Sequence, residues 1–366
     1  PIAYMKRNAE VNRLLTEHPE HFICCEKYTM SNGFSGIESE CLGAWLGGYA
    51  GHYGIRFDAC GWATADQDAE PFVKASDAIP IMEHVMLTGE TVIDGPETIP
   101  VEVSREISTT KLSDGYTRRQ WAWFPHFINI NIDEFRKILD GTVRILSRKE
   151  VIERSKICVQ NDLRNQGSND YLSPGTLFDG LYRPDCDHGR DKSSEGANAW
   201  LDNKWWLKST GRYPAIPYLY DVLDDDAKTM KVVKVSEYSK YWPTVADKVN
   251  EFNTLFPQEY TGDIYAAHAE NTWMTYNPYQ YDDVTAGGTR TRHISTHRAS
   301  GNIPFLYNTA DSISIDFSPY SMAVMKEFPD KLTLYMTNYR NSKSGDKFIE
   351  ADTATDIIKI SGATEK

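Results

Sequence analysis

Between residues 21 and 162 the sequence keeps returning to one phrase: a short, largely apolar run that ends on a carboxylate. The runs are His21-Phe-Ile-Cys-Cys-Glu-Lys-Tyr, with Glu26 near its end, and Tyr53-Gly-Ile-Arg-Phe-Asp-Ala-Cys-Gly-Trp, with Asp58. Thr91-Val-Ile-Asp-Gly-Pro-Glu follows, carrying Asp94 and, beyond the Gly-Pro break, Glu97; then Lys156-Ile-Cys-Val-Gln-Asn-Asp, with Asp162. Runs of this kind belong in strands buried on both faces. The text between them has helical spacing: Val11, Leu14 and Leu15 ahead of Pro19, then Glu38 to Tyr49. Ile81, Met82, Val85 and Met86 behind Pro80, and Asp133 to Asp140, continue it. Strand and helix in alternation imply a parallel sheet covered by helices, either a barrel or a doubly wound sheet.

What is missing separates the two. No Gly-x-Gly-x-x-Gly and no P-loop follows any of these runs, so nucleotide-binding readings lose their main support. Carboxylates recur at strand ends instead, where a (β/α)8 TIM-type barrel keeps its chemistry. The strands present amount to the C-terminal half of such a barrel. The chain opens on Pro1 without an initiator Met or signal peptide, and closes just after a strand-like Asp356-Ile-Ile-Lys-Ile-Ser-Gly. It is therefore expected to be an internal piece, with an upstream segment or a second chain completing the barrel, because open strand edges are a liability. After residue 165 the pattern changes. From about Gly262 alternation of period two takes over, as in Ile313-Ser-Ile-Asp-Phe and Lys331-Leu-Thr-Leu-Tyr-Met-Thr-Asn-Tyr, with turn residues at intervals. That is the pattern of an antiparallel β-sandwich. The expected organisation is a catalytic barrel portion over residues 1–260 and an incomplete C-terminal β-sandwich domain over 261–366.

Lys and Arg total 39 against 52 Asp and Glu, a formal net charge of -13, which argues against a nucleic-acid partner. No apolar run is long enough to span a bilayer as a helix, so no membrane partner is expected. The 6 cysteines are too few for a disulfide-built scaffold, and no Cys/His spacing suits zinc. Cys24 and Cys25 are adjacent in a strand-like run and so point to opposite faces. His293 and His297 stand four apart, but outside a helix that spacing does not make a metal site. No metal and no cofactor is expected.

Paired carboxylates beside aromatic rings fit cleavage of a glycosidic bond. One acid protonates the leaving oxygen and the other activates water or attacks the anomeric carbon. Asp58 has Arg56, Phe57 and Trp62 around it, and Glu97 follows Asp94-Gly-Pro. Apolar neighbours raise a carboxyl pKa and an arginine lowers it, which drives two acids apart. Structural roles compete: Asp58 as a helix N-cap, Asp94 as a turn residue, Glu26 as an ion-pair partner of Lys27. Trp45, Tyr49, Tyr53 and Trp62 are candidate platforms for a sugar face, whereas Trp121 and Trp123, two apart in an aromatic run, read as core packing. His52 is a candidate to orient a substrate hydroxyl or tune Asp58. The candidate substrate-binding set is Trp45, Tyr49, His52, Arg56, Trp62 and Asp94.

Three stretches resemble glycoside hydrolase family 98: Leu42-Gly-Ala-Trp-Leu-Gly-Gly-Tyr-Ala-Gly-His-Tyr-Gly-Ile-Arg-Phe-Asp-Ala-Cys-Gly-Trp, Leu87-Thr-Gly-Glu-Thr-Val-Ile-Asp-Gly-Pro-Glu, and Lys208-Ser-Thr-Gly-Arg-Tyr-Pro-Ala-Ile-Pro. The resemblance covers most of the chain. It implies a secreted, endo-acting, inverting glycosidase built as a (β/α)8 barrel followed by a β-sandwich, acting on a polysaccharide or oligosaccharide. Activities in that family include endo-β-1,4-galactosidases that release blood-group oligosaccharides, and endo-xylanases. The resemblance also implies a glutamate acid on an early barrel strand, and an Asp and a Glu on later strands that position and activate water. Asp58 and Glu97 match the later pair by strand order. The acid is expected upstream of Pro1, with Glu26 the early strand-end carboxylate available in this chain. The competing expectation is a non-catalytic carbohydrate-binding or structural protein that keeps the fold.

Overall fold

A computed structural model describes residues 5, 7–27, 37–56, 86–94, 104–123, 132–162, 181, 213–219, 227–277, 281–286, 289–294, 298–304, 312–318, 321–338 and 357–361. In chain order the first elements are α1 (Ala9–Glu17), β1 (Ile23–Lys27), α2 (Ile37–Leu46), β2 (His52–Arg56), β3 (Val92–Asp94), β4 (Ser104–Lys111) and β5 (Thr117–Trp123). Next come α3 (Ile132–Leu139), α4 (Arg148–Ser155), β6 (Ile157–Gln160), β7 (Tyr218–Leu219), β8 (Lys231–Lys234), α5 (Tyr238–Tyr241) and α6 (Val245–Leu255). Strands then follow one another: β9 (Thr261–Gly262), β10 (Tyr265–Ala269), β11 (Thr272–Tyr276), β12 (Tyr281–Ala286), β13 (Thr289–Ile294) and β14 (Ala299–Pro304). The last are β15 (Ser312–Phe317), β16 (Ser321–Glu327), β17 (Leu332–Asn338) and β18 (Ile357–Ser361). Two compact units result, each gathered from separate stretches. The first comprises Pro1–Phe57, His84–Asp94 and Ile145–Gln258; the second comprises Asp58–Glu83, Gly95–Arg144 and Glu259–Lys366.

In the first unit β1, β2 and β3 form a parallel sheet in that order. Parallel neighbours need a crossover, and α2 supplies the one between β1 and β2. From Ser39 to Leu46 every residue of α2 is buried, and its stretch Cys41–Leu46 is apolar throughout. Asn8 caps α1 by accepting from the N–H groups of Glu10 and Val11, both at 3.1 Å. Leu15 of α1 joins Ala44 and Tyr49 in a cluster that takes in Val11, Phe22 and Cys24. Arg148 donates to the carbonyls of Trp45, at 3.4 Å, and of Leu46, satisfying groups that a helix C-terminus leaves open.

A second parallel sheet has the order β7-β6-β8. Its core joins Ile157, Val159, Tyr218 and Val233 to Trp242, Phe252 and Phe256. A sequential barrel sets each strand beside the next in the chain. Here β6 lies between β7 and β8, so the described parallel strands form two three-stranded sheets. Helices α4 and α6 open on capping boxes, Ser147 with Glu150 and Thr244 with Asp247.

The second unit is dominated by antiparallel pairing. Sheets β10-β11-β16-β17 and β18-β15-β14-β9 contribute to one apolar cluster, including Trp273, Ala323 and Met325 from the first and Ile303, Ile313, Ile315 and Phe317 from the second. Burial alternates residue by residue along β14, the period-two pattern of a strand with one face inward. Strands β4 and β5 form a hairpin, closed at Gly115 with φ +87. Lys137 of α3 bonds Thr337 of β17 at 3.1 Å and pairs with Asp133 at 2.8 Å.

Gly43 is where α2 comes closest to the second parallel sheet. A Cβ there would collide with the backbone carbonyl of Tyr218 in β7, which no rotamer change relieves. Glycine to alanine inside a helix ordinarily stabilises it. At Gly43 the expected sign is reversed: Gly43→Ala lowers the unfolding free energy by about 1–3 kcal/mol. Urea unfolding followed by far-UV dichroism reads this directly, and an unchanged or raised midpoint would contradict the close approach.

Candidate functional site

The register of β1, β2 and β3 decides which residues reach the C-terminal edge of the sheet together. Lys27, Arg56 and Asp94 are in register across the three strands at that edge. One position back, Glu26 registers with Ile55, and Ile55 with Ile93. Successive residues of a strand alternate between faces, so these two rows have opposite parity. Cys24 and Tyr53 share the parity of Glu26. They are the positions that meet the α1–α2 layer: Tyr53 stacks on Trp45 with centroids 5.8 Å apart, and Cys24 packs against the cluster of Leu15, Ala44 and Tyr49. By backbone register Arg56 and Asp94 thus share one row of the sheet, and Glu26 the alternate row with Cys24 and Tyr53.

The other candidates fall in different places. Asp58, Trp62 and Glu97 lie outside the described residues; in the sequence Asp58 is two residues past β2 and Glu97 three past β3. His52 begins β2 at the opposite end from Arg56 and donates its N–H to the carbonyl of Phe22. Trp45 and Tyr49 are each 8% exposed and belong to the interior. The ring of Trp45 also lies beside Gly89, whose φ is +77; a Cβ added there would come within 2.7 Å of the ring, leaving no room for a side chain. Trp121 departs from the expectation of core packing. It stands 42% exposed on β5, opposite Glu106, because the hairpin is wet over most of its length. Asp162, another strand-end carboxylate, is engaged structurally. It accepts from the N–H and hydroxyl of Ser236, and although burial acts to raise its pKa, these bonds hold the carboxyl below its ordinary range.

Two buried acids of the first unit escaped the sequence reading. Glu90, just before β3, is fully buried and its Oε1 accepts from the Thr88 hydroxyl at 3.4 Å. Glu40, on α2, is 7% exposed, and burial pushes its carboxyl up to about 7. No signal in an apolar helix distinguishes such a glutamate from one at the surface.

A parallel α/β sheet with a charged row at its strand ends, joined in one chain to an antiparallel unit, sets the class of the molecule. The family follows from sequence: the chain belongs to glycosyl hydrolase family 98. The model of glycosyl hydrolase family 98 matches residues 1–144, and that of the family's C-terminal domain matches residues 148–365. The fold is similar to solved structures of the catalytic module of a family 98 glycoside hydrolase from Streptococcus pneumoniae TIGR4. Two of these, the native form and the complex with the H-disaccharide blood group antigen, have a TM-score of 0.61 at 20% identity. A third, in complex with the LewisY pentasaccharide blood group antigen, has a TM-score of 0.62 at the same identity. Each covers 92% of this chain and 54% of the module, so the chain spans about half the length of the structures it matches. No curated protein sequence matches the chain.

Glu40 gives the first unit a defined response to pH. Its ordinary value is 4.5 and its folded value about 7. Between those two pH values the unfolded chain releases this proton and the folded chain keeps it, so the group's contribution to stability falls as pH rises through the window. Glu40→Gln removes that slope. Unfolding free energies of both proteins at several pH values between 4.5 and 7 are expected to diverge progressively, with the variant relatively more stable at the upper end. A constant difference across the window would contradict a buried, neutral Glu40.

Proposed function

We propose that the chain forms part of an endo-acting, inverting glycoside hydrolase that cleaves β-linked glycans, using Asp58 and Glu97 on water and no cofactor. Membership of family 98 and the strand-end row of Arg56 and Asp94 support this. The row is the observation that carries the proposal, because it brings β2 and β3 into register immediately before the two acids. In this mechanism Glu97 removes a proton from water and Asp58 orients that water toward the anomeric carbon. Arg56 helps keep Asp58 ionised, as a neighbouring guanidinium does. Asp94 and Trp62 hold the sugar. Inversion requires the acid and base carboxyls to stand roughly 6.5–9.5 Å apart, leaving room for the water.

Glu26, the early strand-end carboxylate of this chain, is the weaker candidate for the general acid. The general acid is then assigned to a strand outside residues 1–366, on a (β/α)8 barrel of which this chain supplies the later strands. The antiparallel sheets are assigned to a β-sandwich. Two of the similar pneumococcal structures are complexes with blood group antigens, which favours a β-galactoside glycan of that kind over xylan. A secreted enzyme is proposed on the same ground, since such glycans are met outside the cell.

Asp58→Asn and Glu97→Gln, made in the full-length natural protein, are each expected to lower kcat for blood-group glycan by about 100-fold or more, with the dichroism spectrum unchanged. Proton NMR of the wild-type reaction is expected to show the α-anomer of the new reducing end first. A β-anomer appearing first would overturn inversion. Near-normal turnover by both variants would overturn the assignment of the acids. Saturable glycan binding with no cleavage by the wild type would favour a binding protein on this fold.

A further inference from the structure

We propose that the face of the β4–β5 hairpin carrying Trp121 is a second glycan-binding site, built for a neutral sugar. It rests on the proposed function for the class of ligand alone. The Trp121 ring stands 42% exposed and is in register with Glu106 on the neighbouring strand. Arg119, two residues away along β5, shares the face of Trp121. The Glu106 carboxylate accepts from the Arg119 guanidinium at 3.3 Å and from the Thr109 hydroxyl. A flat apolar ring and an ion pair therefore lie side by side on one face of the ribbon. The register shifts between Glu106 and Ser108, a bulge directly beside the ring. Bulges re-aim side chains and are over-represented next to functional sites.

The chemistry of this face matches a sugar. The C–H groups of a pyranose pack on an indole ring. Its hydroxyls donate to Glu106 and accept from Arg119, since a carboxylate has about four lone-pair sites and a guanidinium five donors, and their mutual bond uses only part of these. Glu106 and Arg119 also cancel each other's charge beside the ring, with Lys111 two pairs further toward the turn. Neutral hydroxyls fit such surroundings, whereas an anionic group would meet the Glu106 carboxylate. The area is too small for a protein partner. The exposed part of Trp121 amounts to about 100 Å², against about 800 Å² for each side of a stable protein interface. Adding Ile107, 56% exposed at the bulge, still leaves it several-fold short. Leu112 and Tyr116 flank the turn five pairs from Trp121, about 17 Å along the ribbon, and do not extend the patch.

The test is electrophoresis of the full-length natural protein in native gels with and without a neutral β-galactan. The wild type is expected to be slowed by the polymer. In Trp121→Ala the apparent affinity is expected to fall by about tenfold, with Trp121→Phe in between and the dichroism spectra unchanged. Retardation of the wild type is expected to persist as salt is raised. Turnover of a short blood-group oligosaccharide is expected to be the same in Trp121→Ala as in the wild type. Equal retardation of wild type and Trp121→Ala, or none in either, would overturn the proposal. So would retardation abolished by salt, which marks an anion site, or short-substrate turnover lost in Trp121→Ala, which places the ring in the catalytic cleft. Wild-type retardation that depends on Trp121, with no cleavage of any glycan, would support the hairpin site while removing the catalytic reading.

Discussion

Helix α2 is the element on which the first unit depends, because it must satisfy two sheets at once. One side meets β1 and β2 through Cys24, Ala44, Trp45 and Tyr53; the other meets the backbone of β7 at Gly43. From Ser39 to Leu46 a helix in that position has no wet face, and Cys41–Leu46 is apolar throughout. Burial of such a helix stabilises the region by about 25 cal/mol for each Å² of apolar surface withdrawn from water. The same geometry imposes costs. Desolvation raises the Glu40 carboxyl to about 7, and the helix C-terminus needs Arg148 to complete its carbonyls.

Placing α2 on one side of the β1–β2–β3 sheet also sorts the polar residues. Positions in the parity of Cys24 and Tyr53 belong to the helix side; Lys27, Arg56 and Asp94 are in register with one another in the alternate row. The strand ends of a parallel sheet are where the chain is released from pairing. Residues just beyond them are free to be chosen for chemistry rather than for packing. Asp58 and Glu97 occupy that stretch of sequence. Asp162 shows the alternative fate of a strand-end carboxylate, spending its oxygens on the turn at Ser236.

Much of this frame was legible in the sequence. Strands β1, β2, β3 and β6 announced themselves as short apolar runs, and α3 as a helix close to where its spacing put it. The misses have physical causes. Helix α4 is so rich in charge that no apolar stripe marks it; its signal was the Ser147-x-x-Glu150 capping box. Helix α6 carried the same kind of mark, Thr244 with Asp247. The β4–β5 hairpin is exposed along most of its length, so it lacks the alternation of a half-buried strand, and Asp114-Gly115 was its one clue. For that reason Trp121 is a surface ring. Register was out of reach altogether, since a single strand's pattern does not say which residue of its neighbour it faces. The parity that sets Glu26 apart from Arg56 and Asp94 therefore emerged only with the sheet.

The central claim is that glycan is held where β1, β2 and β3 end. A crystal structure of the full-length Glu97→Gln protein with a blood-group oligosaccharide tests it most directly. The account predicts the sugar seated at the C-terminal edge of that sheet, with ring oxygens or hydroxyls in hydrogen-bonding contact with Arg56 or Asp94. A sugar bound elsewhere, with the strand-end row of Lys27, Arg56 and Asp94 left bare, would contradict it.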